Sequence, residues 1–532
     1  MNREYHILKS NAPCASTLRV RTRRASERGW ESRVRPRSFT IVAAGLVILL
    51  APVVKAQVAA AEVDVLQPAA WPAGVAARAA GSTPVLPDFQ RIASLTSGGP
   101  ARILVAPGAF VDGLVDRVER RAAAQYSVFG RLIDDASSFF ILVVEEDALV
   151  GLVHAPLRNQ AYRIGYVAAG VHEIESVAAK AYGGCATETA PLEMTPELID
   201  ARQSLAPACA PPPDEGPLRG VCSAPRQHFD TMIYYTAAAR MEAGGVNAMN
   251  AECQLAADTA NVTYANSGIP ARVVLVFRGE ITYTETGDFT TDRDRLRIPA
   301  DGFMDNVHAE RNTFGGDFMT LFVSDANYTD CGLAYCLPSD ATWGFCVVDR
   351  SCASSNFSYA HELGHLQGCA HNREDAGTGC NYYCDSYGHR FSGNTGNWRT
   401  VMSYNDDANP TTRIGWFSNA LINFDGVPTG AGGGCSTSTN NAGTIFGTTS
   451  SREAWRQPRF EVWVGPLNVI QVGTFTFPWS TVVSGAASIY NGSATPIVEP
   501  TLWIKSGTYV ETLTINRRMT LQSCGGVARI GG

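Results

Sequence analysis

Long hydrophobic runs are almost absent from this 532-residue chain, and so is any excess of basic charge. A single stretch, residues 38–54 (SFTIVAAGLVILLAPVV), is apolar for long enough to concern a membrane, which leaves no second candidate span. Residues 1–56 hold 11 Lys and Arg against 3 Asp and Glu, so the formal net charge of −7 places −15 on the remainder. A mature chain that acidic lacks the positive footprint of a nucleic-acid binder. Histidine is scarce too, at nine residues, so its clustering carries information.

The apolar run follows an Arg-rich segment and precedes small-residue sites in VKA and QVAAA, the pattern of a secretory signal with a long basic flank. Residues 1–56 are therefore expected to be a leader removed on export, with an uncleaved anchor as the alternative. Arg23 and Arg24 form a pair without the rest of a twin-arginine signal. The 45% apolar content suits several packed pieces rather than a disordered chain.

Three of the nine histidines fall in SYAHELGHLQGCAHN, residues 358–372. His361 and His365 are four apart, so on a helix they stand one turn above each other and can reach one zinc ion. Glu362 occupies a neighbouring sector, where a carboxylate serves as general base rather than ligand. Gly368 offers the left-handed conformation that ends a helix and turns the chain so that His371 approaches the same ion. Three nitrogen ligands leave a fourth position open, the arrangement of a catalytic rather than a structural zinc site.

Some thirty residues downstream, WRTVMSYN (398–405) supplies Met402 in a tight turn. Helix and Met-turn together resemble the metzincin zinc endopeptidases. With YGHRF and RIGWFSN, they are most similar to the reprolysin-like bacterial branch and, within it, to the peptidyl-Asp metallopeptidase family, over roughly residues 225–460. The resemblance implies an α+β catalytic domain with a mixed sheet, long helices and an irregular lower half. It also implies one catalytic Zn2+ held by His361, His365 and His371, with Glu362 as base and Met402 as the floor beneath the metal. Tyr404 matches the place where related families set a tyrosine near zinc; it is either an oxyanion donor or a packed aromatic. Asn372 departs from the Asp, Glu, Ser or Pro of better-known metzincins, and Ala420 stands where Pro often follows Ser-Asn.

The rest of the chain divides around this domain. Residues 57–222 are read as a β-rich propeptide: from Tyr126 onward, YSVFGRLID, SFFILVVEED, ALVGLVHA and AYRIGYV alternate as an antiparallel sheet does. LAPACAPPPDEGPLRG, 205–220, reads as an exposed Pro-rich linker. Residues 223–460 form the catalytic domain, in which CGLAYC should supply an edge strand: Gly332, Leu333 and Ala334 either accept an extended peptide as one more strand or merely close the sheet. The Gly/Ser/Thr/Asn-rich run 426–443 reads as loop, and SSREAWRQPRF as the closing helix. Residues 461–532 resemble the first turns of a parallel β-helix, too few to bury their own core.

Eight of the fourteen cysteines lie between Cys253 and Cys384, an even cluster that reads as disulfides of open connectivity in an exported protein. A second zinc on Cys380, Cys384 and His389 would lack a fourth ligand. Upstream, Cys185 sits in AYGGCATETA, where flanking glycines would let a thiolate enter the cleft and fill the open zinc position. Cys209 and Cys222 are alternatives, as is plain disulfide bonding among the three.

The expected function is thus a secreted zinc endopeptidase, held as a zymogen, acting on proteins or peptides beside Asp, with no nucleic-acid partner and no stable membrane association once the signal is gone. Cleavage beside Asp requires a cation in the primed-side pocket; Arg413 is the nearest candidate, and a structural ion pair is its other reading. The alternatives are an inactive metzincin-like binding protein, which should have lost Glu362 or a ligand, and a carbohydrate-associated module, which needs a longer solenoid.

Overall fold

A computed structural model describes residues 63–177, 184–185, 196–209 and 227–531, together with a two-residue strand at 5–6, with interruptions at 79, 325–327, 337, 339, 378, 467–469 and 493–495. Apart from that strand the expected leader lies outside the described residues, as do linker residues 210–220 and Cys222.

The N-terminal piece is a nine-stranded antiparallel sheet running from Leu66–Pro68 and Thr83–Pro87 across to Val171–Ser176, then back strand by strand to Pro100–Ala106. Its ends meet, because Asp64 bridges Arg102 in parallel and the Val65 amide donates to the Arg102 carbonyl at 3.0 Å. The sheet thus begins some sixty residues before the alternation seen from Tyr126. Strand Ala109–Ala122 hid its pattern because two register shifts, at Val115/Arg117 and Arg120/Ala122, break the period of two.

Strands Phe139–Glu145 and Ala148–Ala155 are buried along their full length. Phe140, Leu142 and Val144 fill the sheet's own core, while Phe139, Ile141 and Val143, pointing the other way, join the core of the catalytic half. That is why FFILVV shows no polar face.

The catalytic half carries a five-stranded sheet in the order Ala271–Glu280, Gln227–Tyr235, Phe318–Val323, Phe345–Asp349, Gly332–Ala334. Four strands are parallel and the short edge strand is antiparallel. Helix Val246–Asn266 packs against this sheet on one side and the N-terminal sheet on the other, so that even its polar Glu252 and Asp258 are buried. Six alanines keep it slim enough to sit between two sheets. After Gly368 the lower half is made of loops and short strand pairs until helix Asn441–Arg452.

Several expectations are corrected. The closing helix starts at Asn441, inside the stretch read as loop, and ends before most of SSREAWRQPRF; Asn440 caps it by accepting the Gly443 amide at 2.9 Å. The cysteine cluster is only partly paired within itself: among the described residues Cys331–Cys352 and Cys336–Cys380 are internal disulfides and Cys384 bonds outward to Cys435, while Cys253, Cys346 and Cys369 remain buried thiols. Those bonds remove the second-zinc alternative, since both of its cysteines are consumed. At the start of the expected exposed linker Leu205, Pro207 and Ala208 are exposed, while Ala206 and Cys209 are buried.

At the C-terminus, strands Glu461–Val464, Thr501–Tyr509 and Thr520–Ile530 pair in parallel, with Trp463 stacked on Trp503 at 5.3 Å between ring centroids.

Candidate metal centre

Helix Ser358–Leu366 presents His361 and His365 one turn apart, and its capping residue Gln367 is followed by Gly368 at φ +91°. This left-handed residue reverses the chain into strand Ala370–Asn372, which is pinned to Tyr387–Gly388 and delivers His371. The three Nε2 atoms form a triangle with sides of 3.0, 3.1 and 3.2 Å.

The other ring nitrogens decide what that triangle means. His361 Nδ1 lies 2.8 Å from the Val401 carbonyl and His365 Nδ1 2.9 Å from the Cys369 carbonyl; the His371 ring bonds the Asp375 backbone. A carbonyl only accepts, so Nδ1 of the first two rings carries the proton and Nε2 turns a lone pair inward. Burial holds His365 down to about 4 and His361 and His371 well below the ordinary imidazole range, the latter two helped by their neighbouring rings. Neutral imidazoles whose lone pairs converge fit a cation at their centre. Ligands on a tetrahedral zinc at ~2.0–2.1 Å stand about 3.3 Å apart, close to the observed sides.

Glu362 lies beside this triangle, 1% exposed. Burial pushes its carboxyl up to about 8, against the opposing pulls of the Cys185 thiol and Arg413. The edge strand admits it only because Gly332 has no side chain: a Cβ there would meet Glu362 Oε1 at 2.7 Å. Gly364 has the same relation to the Met-turn, since its Cβ would fall 2.6 Å from Met402 Sδ. The glycine of HELGH is thus the socket for the methionine below.

The Tyr404 ring packs on His371 at 4.1 Å between centroids, and its hydroxyl donates to the Cys185 carbonyl at 2.7 Å. Asn372 gains a role that the sequence reading missed. Its Oδ1 accepts the Tyr404 amide at 3.0 Å, while its Nδ2 donates to Glu374 and Asp375 at 2.8 Å each. It ties the strand of the third histidine to the Met-turn, and adjacency to His371 was the available signal.

Arg413 is half-buried beside the cluster. It donates to the Asn356 carbonyl at 3.0 Å and the Ser403 carbonyl at 3.2 Å; its Nε has no hydrogen-bond partner, and among the described residues no carboxylate pairs with it. Burial lowers its guanidinium to about 10, which still leaves it charged at neutral pH, within electrostatic reach of Glu362 and Tyr404.

Gly332, Leu333 and Ala334 form the edge strand, and its outer side is occupied from within the chain. Cys185 bridges Gly332 in parallel and the Cys331 amide donates to the Gly184 carbonyl at 2.7 Å. Cys185 Sγ then lies 3.6 Å from Glu362 Oε2 and 3.8 Å from His365 Nε2, and its sulfur and the ligand nitrogens of the three histidines all fall within 4.8 Å of one another.

Comparison with known proteins agrees on the region. The family model Reprolysin_5, described as metallo-peptidase family M12, matches residues 226–415. A peptidyl-Asp metalloendopeptidase of Stenotrophomonas maltophilia (strain R551-3) is 35% identical over 210 residues, 39% of this chain and 48% of that protein. Its namesake in Xanthomonas campestris pv. campestris is 39% identical over 185 residues, 34% of this chain and 42% of that protein. One from Pseudomonas fragi is 30% identical over 166 residues, 31% of this chain and 85% of that protein. The chain spans less than half the length of the Stenotrophomonas and Xanthomonas relatives.

Proposed function

Because the chain belongs to metallo-peptidase family M12, we propose that it is a secreted zinc endopeptidase that cuts protein or peptide chains on the amino side of Asp. The observation that carries this reading is the convergence of three neutral imidazoles beside a buried carboxylate. His361, His365 and His371 would hold the ion, and a zinc bound there would supply a Lewis acid for the scissile carbonyl. Glu362 takes the proton of the attacking water and returns it to the leaving amine. Tyr404 donates to the oxygen on which charge develops, and an extended substrate adds itself along Gly332–Ala334.

Arg413 carries the specificity. A half-buried guanidinium that among the described residues donates to two carbonyls and pairs with no carboxylate has charge left to neutralise, and an aspartate carboxylate entering beside it would form a charge-assisted pair. The test is to digest a proteome-derived peptide library with and without a zinc chelator and to sequence the cut ends. Cleavage should vanish with the chelator. Arg413→Ala should cut Asp sites roughly 10²-fold less efficiently, the scale of losing a buried hydrogen bond to charge, and level the preference between Asp and other residues. An unchanged Asp preference would clear Arg413 of the role.

We read residues 57–222 as the propeptide, and Cys185 as its blocking residue. One residue engages the base through its thiol, faces the zinc ligands with its sulfur and occupies the Tyr404 hydroxyl with its carbonyl. Its sulfur, standing beside the three imidazoles, would exclude water from the site and could serve as a fourth ligand. The unprocessed Cys185→Ser protein should hydrolyse peptides measurably where its parent is silent. Two equally silent precursors would assign latency to steric cover alone. The parallel strands after residue 461 we read as the start of a β-helix.

A further inference from the structure

The small sheet beside the Met-turn carries a row of like charges. Strands Arg390–Ser392, Asn397–Arg399 and Thr412–Arg413 pair so that Arg390 stands opposite Arg399, and Arg399 opposite Arg413. Residues opposite one another share a face of the sheet about 5 Å apart, and like charges placed there repel. Arg413 is the member within electrostatic reach of Glu362, and Arg399 is next across the sheet, so the row leads away from the histidines.

The three charges are not balanced alike. Arg390 pairs with Asp375 at 3.2 Å and Glu374 at 3.3 Å. Arg399 donates to Asn405 Oδ1 and to the Thr411 carbonyl, both at 2.9 Å, and Arg413 to the Asn356 and Ser403 carbonyls. Among the described residues neither of these two pairs with a carboxylate, and the Nε of each has no hydrogen-bond partner. Burial and the guanidiniums of Arg413 and Arg390 hold Arg399 down to about 9, still charged at neutral pH. Both are half-buried, so salt and water screen them less than charges on open surface.

Holding the loop after the Met-turn does not by itself explain the row. The oxygens of Ser403, Asn405 and Thr411 ask for N–H donors, which neutral side chains supply without setting positive charges side by side. Two adjacent guanidiniums without carboxylates suit two anionic groups arriving together.

We infer that Arg399 recognises a second carboxylate of the substrate, on the residue two places beyond the Asp held at Arg413. The preferred substrates are then acidic peptides of the pattern Asp-X-Asp or Asp-X-Glu, cut before the first Asp; this rests on the peptidase reading and on Arg413 as the Asp pocket. In an extended peptide, side chains two residues apart lie on one side about 6.6 Å from each other, while the residue between them points away. Two long arginine stems rising from neighbouring strands can span that separation. Arg399 touches no reacting atom, and its contribution is to the choice of substrate.

The test uses the full chain carrying Cys185→Ser and peptides that differ only after the cut: Asp-Gly-Asp, Asp-Asp-Gly, Asp-Gly-Asn and Asn-Gly-Asn. Asp-Gly-Asp should exceed Asp-Gly-Asn about tenfold in kcat/KM, the scale of one partly screened hydrogen bond between charges, and the gain should appear in KM. It should shrink as added salt shortens the Debye length from about 10 Å to about 3 Å. Arg399→Gln should bring the two peptides to within about twofold of each other, and Arg399→Lys should restore part of the gap. A merely structural arginine would slow every peptide alike and leave the ratio standing, a result that overturns the inference. Equal rates on the two peptides in the unsubstituted background overturn it as well, as does an advantage for Asp-Asp-Gly equal to that for Asp-Gly-Asp. If Arg399→Gln does not fold, the ratio in the unsubstituted background and its salt dependence still decide. Equal cleavage of Asp-Gly-Asn and Asn-Gly-Asn would count against Arg413 as the Asp pocket, and no cleavage at all against the peptidase reading. In either event the free tripeptides Asp-Gly-Asp and Asp-Gly-Asn, titrated into the same protein with Tm as the readout, decide the matter: greater stabilisation by Asp-Gly-Asp that Arg399→Gln abolishes supports the inference, and equal or absent stabilisation overturns it.

Discussion

Glu362→Gln should bind one zinc per chain and hydrolyse peptides about 10²–10⁴-fold more slowly than its parent, the range general acid–base catalysis contributes. That is roughly 3–5 kcal/mol of activation free energy. The substitution keeps the shape of the side chain, its place against Gly332 and all three imidazoles, and removes only the ability to accept a proton. Metal analysis alongside turnover on a peptide separates loss of the base from loss of the site. Near-normal turnover would show that the proton goes elsewhere.

His371→Ala should act through the metal instead. Two nitrogens remain on helix Ser358–Leu366, but the third corner of the 3.0–3.2 Å triangle is gone. Loss of a hydrogen-bond partner behind a metal ligand already costs about 10–100-fold in affinity, and loss of the ligand itself should cost more. After dialysis against a weak chelator the variant should retain a small fraction of the parent's zinc, with activity falling in proportion. Equal zinc content in both would remove His371 from the ligand set.

Much of this site could be seen in the sequence because its chemistry is local. Four residues of spacing fix two imidazoles on one helical face, and Gly368 announces the turn that brings the third. Met402 came through the resemblance, and its physical reason, the missing side chain at Gly364, is visible only in three dimensions. Asn372 was noticed solely as a departure, because nothing in a sequence says which backbone amide a side chain will meet. Arg413 left two readings open, since which groups surround a guanidinium is a property of the fold.

The misreadings outside the site share one cause. Bulges in strand Ala109–Ala122 break the alternation that marks a strand. Helix Asn441–Arg452 runs through NNAGTIFGTTSSR, whose composition reads as loop; burial of Ile445, Thr448 and Thr449 against the body stabilises it despite poor intrinsic propensity. Cysteine counting held for five of the eight and missed Cys253, Cys346 and Cys369, which serve as small buried packing residues. In each case tertiary contact overrode the local signal.

Strand Phe139–Glu145 places an unusual demand on the gene. Its even-numbered residues answer to the interior of the N-terminal sheet and its odd-numbered ones to the catalytic half. A strand with one solvent-facing side would drift freely at every second position, but here each codon is held by one or the other neighbour. Recombination that joined this N-terminal half to a relative's catalytic half would mismatch every second side chain along the seam, so the two halves are heritable only as a matched pair.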